Sequence, residues 1–355
     1  MATEFDDSEW ILADADDDDG DGDGDWVVTD GDEGSVSGVF LPSPSKPLLH
    51  RGGRGGAAAA TFAAFGRRSL PIPDPSLSFL PPSLSVASSS RGLLLLRGPW
   101  SSYYVCNPAN AQWGPVPRPP RPHSLASPPP DLALVADPSP SPHFHLVCAF
   151  RTLDGEYRFE TFSSAAGGWR SSSAAPVSAL VPGSAVAAAG AAYWRTSKPE
   201  ILAFDPVSGA ARLLPAPPGC GDCGARWQLG EAAGRLCCAR VARAAVDLLA
   251  LGPSDRWDLL GSYALSIAGE GGDEATGLSS GIGGPEPLVC REAPRPLRFE
   301  SGNLEVVLWV DGRIVAVDLK AGCLRPLRFE GVAPDSEGDY VAYVNTLGPA
   351  VPGGA

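Results

Sequence analysis

From about residue 86 the chain alternates short apolar runs with clusters of turn-forming residues. Gly92-Leu93-Leu94-Leu95-Leu96 reads as a short buried strand. Ser101-Ser102-Tyr103-Tyr104-Val105-Cys106 runs into Asn107-Pro108-Ala109-Asn110, and Trp113 follows. The same order returns four times. Arg158 to Phe162 meets Ser163, and Glu200 to Phe204 meets Asp205. Val246 to Leu251 meets Gly252, and Arg313 to Val317 meets Asp318. The anchors at 107, 163, 205, 252 and 318 are spaced by 56, 42, 47 and 66 residues, close to the period of about 50 seen in kelch blades. Upstream of four anchors lies a partner strand: residues 143–150, 191–194, 234–238 and 305–310. A repeated set of hairpins cannot bury both of its faces alone, so radial stacking is the expected solution. The pattern therefore predicts an all-β fold, a kelch-like β-propeller of five to seven blades over residues 86–348. Residues 340–347 supply a last strand, expected to close the ring against the blade that starts at Gly92.

Composition supports short elements. Gly 42 and Pro 37 make up about a fifth of the chain, and Pro interrupts both helices and central strands. The formal charge of −14 is unevenly placed. Fifteen acids lie between Glu4 and Glu33 with no Lys or Arg among them, so the rest of the chain is near neutrality. A neutral body gives no general phosphate-binding field, which argues against nucleic acid as a partner. No apolar run reaches the length of a membrane span, and the acidic N-terminus is neither a secretory signal nor an Arg-rich transit peptide. These features place the chain in the cytoplasm or nucleus, with its eight cysteines reduced.

Residues 1–33 read as an acidic disordered tail, because self-repelling carboxylates cannot bury enough apolar surface to offset ordering entropy. Two islands, Trp10-Ile11-Leu12 and Trp26-Val27-Val28, interrupt it. Residues 34–85 read as a Ser/Pro/Gly/Ala-rich linker, in which only Phe62-Ala63-Ala64-Phe65 suggests an ordered turn of helix. The doubled Arg-Gly-Gly at residues 51–56 reads as flexible linker. Residues 349–355 read as a disordered C-terminus.

Several stretches together resemble the kelch-like associated domain that follows the F-box in plant F-box proteins. They are Gly92 to Leu96 with Tyr103-Tyr104-Val105-Cys106-Asn107-Pro108, then Phe159-Glu160-Thr161-Phe162 with Gly168-Trp169. Next come Ala191-Ala192-Tyr193-Trp194 with Ile201 to Pro206 and Leu213-Leu214-Pro215. Gly234-Arg235-Leu236, Asp247-Leu248 with Trp257, and Tyr343-Val344-Asn345-Thr346-Leu347 complete the set. The resemblance covers about three quarters of the chain. It implies a propeller that binds the protein handed to a cullin–RING ubiquitin ligase, with an F-box ahead of it that docks the Skp adaptor. No F-box pattern stands in residues 1–85. Two readings stay open: a receptor joined to the Skp adaptor and cullin in trans, and an interaction protein outside such ligases.

Candidate chemistry is sparse. Asp19, Asp21, Asp23 and Asp30 reproduce the oxygen spacing of an EF-hand loop, but no amphipathic helix flanks them. Cys220 and Cys223 form a C-x₂-C, with Cys237 and Cys238 after it. Adjacent strand residues point to opposite faces, so the second pair cannot serve one zinc ion. His143 and His145 share a strand face, and the only other histidines are His50 and His123. A copper-radical oxidase on a kelch-type propeller, the third function class considered, needs a Tyr and His set that is not offered here. No P-loop, G-x-S-x-G or dinucleotide fingerprint occurs. Trp113, Trp169, Trp194, Trp257 and Trp309 sit at repeat positions and read as blade packing. The expectation is a non-catalytic module without cofactor or metal, presenting loops on one propeller face to a protein partner.

Overall fold

The computed structural model describes residues 37–42, 60–65, 72–121, 129–136, 143–152, 154–172, 178–222, 226–242, 245–267, 287–328 and 340–344. The first two strands, β1 (Gly38–Pro42) and β2 (Ala60–Phe65), pair antiparallel. Three four-stranded antiparallel sheets follow. The first holds β3 (Ser85–Ser90), β4 (Leu93–Arg97), β5 (Tyr103–Asn107) and β6 (Gln112–Val116). The second holds β7 (Asp131–Ala136), β8 (Phe144–Arg151), β9 (Tyr157–Ser163) and β10 (Gly168–Ser171). The third holds β11 (Val186–Ala188), β12 (Ala191–Arg195), β13 (Glu200–Phe204) and β14 (Ala211–Pro215).

The fourth blade, β15 (Arg226–Ala232), β16 (Arg235–Ala242), β17 (Ala245–Leu251) and β18 (Trp257–Ile267), carries β19 (Leu288–Cys290) on its outer edge. In the fifth blade, β20 (Arg295–Pro296) pairs with β22 (Glu305–Val310), while β21 (Phe299–Ser301) crosses to run parallel to β15. Outward of β22 lie β23 (Arg313–Asp318) and β24 (Cys323–Arg328). The last strand, β25 (Val341–Tyr343), pairs with β1 and so completes a sixth blade of β25, β1 and β2.

Six strands line the axis among the described residues: β3, β7, β11, β15, β21 and β25. Each touches the next, and β25 touches β3. The fold is a closed β-propeller of six blades, within the range expected.

Local sequence explains the repeated turns. Arg91-Gly92, Ala189-Gly190, Ala233-Gly234 and Asp311-Gly312 all place both residues at positive φ, the geometry of two-residue hairpins that match strand twist. The five sequence anchors are the turns that lead into β6, β10, β14, β18 and β24. Asn107 accepts from the Ala109 N–H at 3.0 Å, Asp205 from Val207 at 2.8 Å, and Asp318 from Lys320 at 2.8 Å. These side chains mimic a backbone turn. The four-leucine run is buried throughout because neighbouring blades cover both faces of β4. Leu93 and Leu95 pack toward the second blade, whereas Leu94 and Leu96 pack with Phe40, Phe62 and Tyr343 of the sixth.

Two sequence expectations are corrected. The propeller begins at Gly38 rather than at residue 86, since β1 and β2 lie inside the stretch expected to be a linker. Phe62 to Phe65 is strand rather than helical turn, because β1 on one side and β24 on the other supply its hydrogen-bonding partners. The last strand does meet the blade of Gly92, through the Tyr343 hydroxyl donating to the Gly92 carbonyl at 3.3 Å. Its ladder partner, however, is β1. Residues 1–33 and 349–355 lie outside the described residues.

A buried ion pair within the fifth blade sets its cation against the sixth. Arg325 donates to Glu305 at 2.5 Å with both side chains buried, Ser301 donates to the second carboxylate oxygen at 3.1 Å, and the guanidinium sits over the Phe65 ring at 5.8 Å. Arg325→Met leaves the Glu305 carboxylate buried without its cation and is expected to cost about 3–5 kcal/mol of stability. Combining it with Glu305→Leu should recover most of that loss. Urea denaturation of both variants measures the difference.

Candidate functional site

The residues singled out by sequence disperse over the fold. Cys237 packs in the core beside Val306 and Phe299, whereas Cys238 packs between blades three and four, as strand alternation requires. His145 lies on β8 and is half-buried, and His143 precedes that strand at the surface. Among the described residues no three His, Cys, Asp or Glu side chains come together to hold a metal. Cys223, His50, His123, residues 51–56, the acids from Asp19 to Asp30 and both Trp islands lie outside the described residues.

The tryptophans divide. Trp194 is buried against Phe159, with ring centroids 6.0 Å apart. Trp169 and Trp257, on the outermost strands of blades two and four, repeat one device. Each donates its indole N–H to a proline carbonyl at the end of the preceding blade, Trp169 to Pro117 at 2.7 Å and Trp257 to Pro215 at 3.0 Å. Trp309 stacks on Tyr340 at 6.0 Å. These four are packing residues. Trp113 is more exposed and leans on Tyr104 at 5.7 Å.

The axis is nearly filled. A cavity of about 30 Å³ remains, lined by Ser88, Ser89, Glu231, Arg298, Glu300 and Ala342 among others. That is room for a water or two, far below the roughly 300 Å³ that an organic ligand needs. Glu231 and Glu300 stand side by side in the parallel register of β15 and β21. Glu300 accepts the Arg91 backbone N–H and lies 3.3 Å from the Ser89 hydroxyl, which also meets the Ala342 carbonyl. The Ser89 hydroxyl is the donor toward both acceptors, the Glu300 carboxylate and the Ala342 carbonyl. Burial raises the Glu300 carboxyl above its ordinary range, against the hydrogen bonds it accepts from Arg91 and Ser89. Hence the carboxyl pair is a seam joining blades four, five, six and one.

The accessible feature sequence reasoning missed is Trp100. It lies on the turn between β4 and β5 and is 89% exposed, more than any other large hydrophobic residue among those described. Trp100 and Ser101 both adopt left-handed backbone, at φ 58° and 54°. Such geometry costs an L-residue about 1–2 kcal/mol and persists only when its surroundings impose it. Here the turn is clamped by Gly98 N–H donating to the Ser102 carbonyl at 2.8 Å and by Ser102 N–H and Oγ both donating to the Pro99 carbonyl. At Gly98 an added Cβ would meet Ser102 Oγ at 2.5 Å and Leu84 at 2.9 Å, so the turn is seated directly on the core. Pro99-Trp100 carried no periodic signal that distinguished it from the other turns.

The axial seam has a pH signature. Burial first, and the Glu300 charge second, push the Glu231 carboxyl up from 4.5 to about 7. Its folded-state affinity for a proton exceeds its unfolded one, so the stabilisation is complete below pH 4.5 and fades as pH rises through about 7. Stability should therefore decline by up to about 3 kcal/mol between acid and mildly alkaline pH. Glu231→Gln is expected to flatten that decline, as read from thermal unfolding over the same range.

No protein-family model matches the sequence, and no curated protein matches it. Among solved structures, YCF48 bound to a D1 peptide is similar at 11% identity and a TM-score of 0.35, with 69% of this chain and 68% of that chain covered. Among the described residues no helix is long and apolar enough to cross a membrane.

Proposed function

We propose that the protein is a non-catalytic interaction module whose propeller binds a protein partner through the rim of its first blade, with Trp100 as the anchor. The observation that carries this reading is an almost fully exposed indole held on a clamped, strained turn. Exposing it costs solvation and backbone energy that packing of the monomer does not return. A rigid Trp loses little conformational entropy on docking, and Trp, Tyr and Arg dominate binding hot spots. Tyr104, whose ring also lies against Gly98, and Trp113 extend the same blade edge, and the exposed Arg118 and Arg121 follow β6.

The resemblance to plant F-box proteins supports a finer reading, in which the bound protein is passed to a cullin–RING ubiquitin ligase in the cytoplasm or nucleus. The order of the motifs along the sequence favours it.

Trp100→Gly separates binding from folding, because glycine adopts left-handed backbone freely. The variant should unfold at the same or slightly higher denaturant concentration than the parent, by up to about 1 kcal/mol. Proteins recovered by proximity labelling with the parent chain should fall about tenfold or more with the variant, as for a hot spot near 2 kcal/mol. An unchanged set would remove the Trp100 reading. Recovery of the Skp adaptor and a cullin would support the ligase link, and their absence from both samples would leave an interaction module outside such ligases.

A further inference from the structure

At the contact between blades three and four, two thiols face each other. Cys220 Sγ lies 3.8 Å from Cys238 Sγ. Cys238 is on β16 with no exposed surface, and Cys220 is 5% exposed on the turn Pro217 to Gly221, whose neighbours Pro218, Gly219 and Gly221 reach solvent. Two sulfurs at that separation are in van der Waals contact, and a side-chain rotation of about an ångström on each brings them to bonding distance.

The surroundings are cationic. Arg240 donates to the Pro218 carbonyl of the turn and, at 2.6 Å, to Asp247. Its guanidinium approaches Gly219, where an added Cβ would stand 2.9 Å from its Nη1; with φ at +79° this position is doubly restricted to glycine. Arg195 donates to the Trp227 carbonyl at 2.8 Å and sits 4.0 Å over the Trp227 ring. The hydrogen bond from Cys238 and the charges of Arg240 and Arg195 draw the Cys220 thiol down against the opposing effects of burial and of the Asp222 charge. The contrast with the other thiols is direct, since burial pushes Cys106 and Cys237 each up to about 12.

We propose that Cys220 and Cys238 form an oxidant-responsive pair, in which hydrogen peroxide converts Cys220 to a sulfenic acid that Cys238 closes into a disulfide pinning the turn to β16. In the first step the Cys220 thiolate attacks one peroxide oxygen, the O–O bond breaks, and the other oxygen leaves as water after taking a proton. In the second, the Cys238 sulfur attacks the sulfenic sulfur, the S–O bond breaks, and the hydroxide leaves as water with the Cys238 proton. Two thiols are thereby oxidised and one peroxide is reduced to two waters. Cys220 is the entry point because it alone of the two residues has exposed surface, and Cys238 is the resolving thiol because its sulfur is already in contact. Cys237, one residue away, points to the opposite face with its thiol directed at the Ala232 carbonyl 3.9 Å distant, which excludes it.

The test treats the full-length chain with hydrogen peroxide, alkylates free thiols after denaturation, and maps non-reduced peptides by mass spectrometry. The expected product is a Cys220–Cys238 cross-link with a loss of two hydrogens, reversed by dithiothreitol. Cys223→Ser should form the same cross-link at the parent rate. Cys238→Ser should trap Cys220 as a sulfenic acid captured by dimedone. Arg240→Gln should slow cross-linking several-fold. A dominant Cys220–Cys223 bridge, or a Cys220 that stays alkylatable while other thiols oxidise, would overturn the proposal.

Discussion

The ladder between β1 and β25 joins the two ends of the described chain: Gly38, Val39 and Phe40 pair with Tyr343, Ala342 and Val341. Nearly the whole sequence lies inside the loop that this pairing closes, and the closure entropy must be offset locally. Three aromatic rings do much of that. Phe40 packs on Phe62 at 5.1 Å, and Tyr343 meets both nearly edge-on at 5.4 and 5.9 Å. Such pairs add to the burial of their apolar surface. They cover the apolar face of the first blade, while Val39, Ala63 and Phe65 of the same sixth blade cover that of the fifth, so without this blade the ring would open.

The same junction reaches both ends of the functional reading. Leu84 and Tyr104, on which the Trp100 turn is seated, belong to the core cluster of Phe40, Phe62 and Tyr343. The projecting indole is therefore as rigid as the closure beneath it. At the axis, Ser89 of blade one meets Ala342 of blade six and Glu300 of blade five, so the buried carboxyl seam locks the closed ring from inside. The thiol pair lies apart from this, between blades three and four, where an additional covalent tie would alter one turn and leave the closure untouched.

Much of the fold was legible in the chain. Asn107, Ser163, Asp205, Gly252 and Asp318 announced five blades because an Asx, serine or glycine turn needs those side chains at that place. The second and third strands of blades one to five were equally visible, being covered on both faces and hence largely apolar. The innermost strands were not. Ser85–Ser90 has four serines among its six residues, and Val186–Ala188 and Phe299–Ser301 have three residues each, since the crowded axis admits small side chains and short runs there. The β1–β2 pair was hidden for a different reason, as Ser, Pro and Gly surround it and its partner lies at the far end of the sequence. Trp100 escaped notice because exposure on a strained turn is a property of backbone geometry and has no periodicity.

Closure is tested most directly by two truncations that differ by one strand. A chain lacking residues 1–36 keeps β1 and should unfold cooperatively at the parent temperature. A chain lacking residues 1–42 loses the ladder to β25, and its midpoint should fall by about 10 °C or more, with a broadened transition. Equal melting of the two truncated chains, whether both match the parent or both fall, would contradict closure through β1.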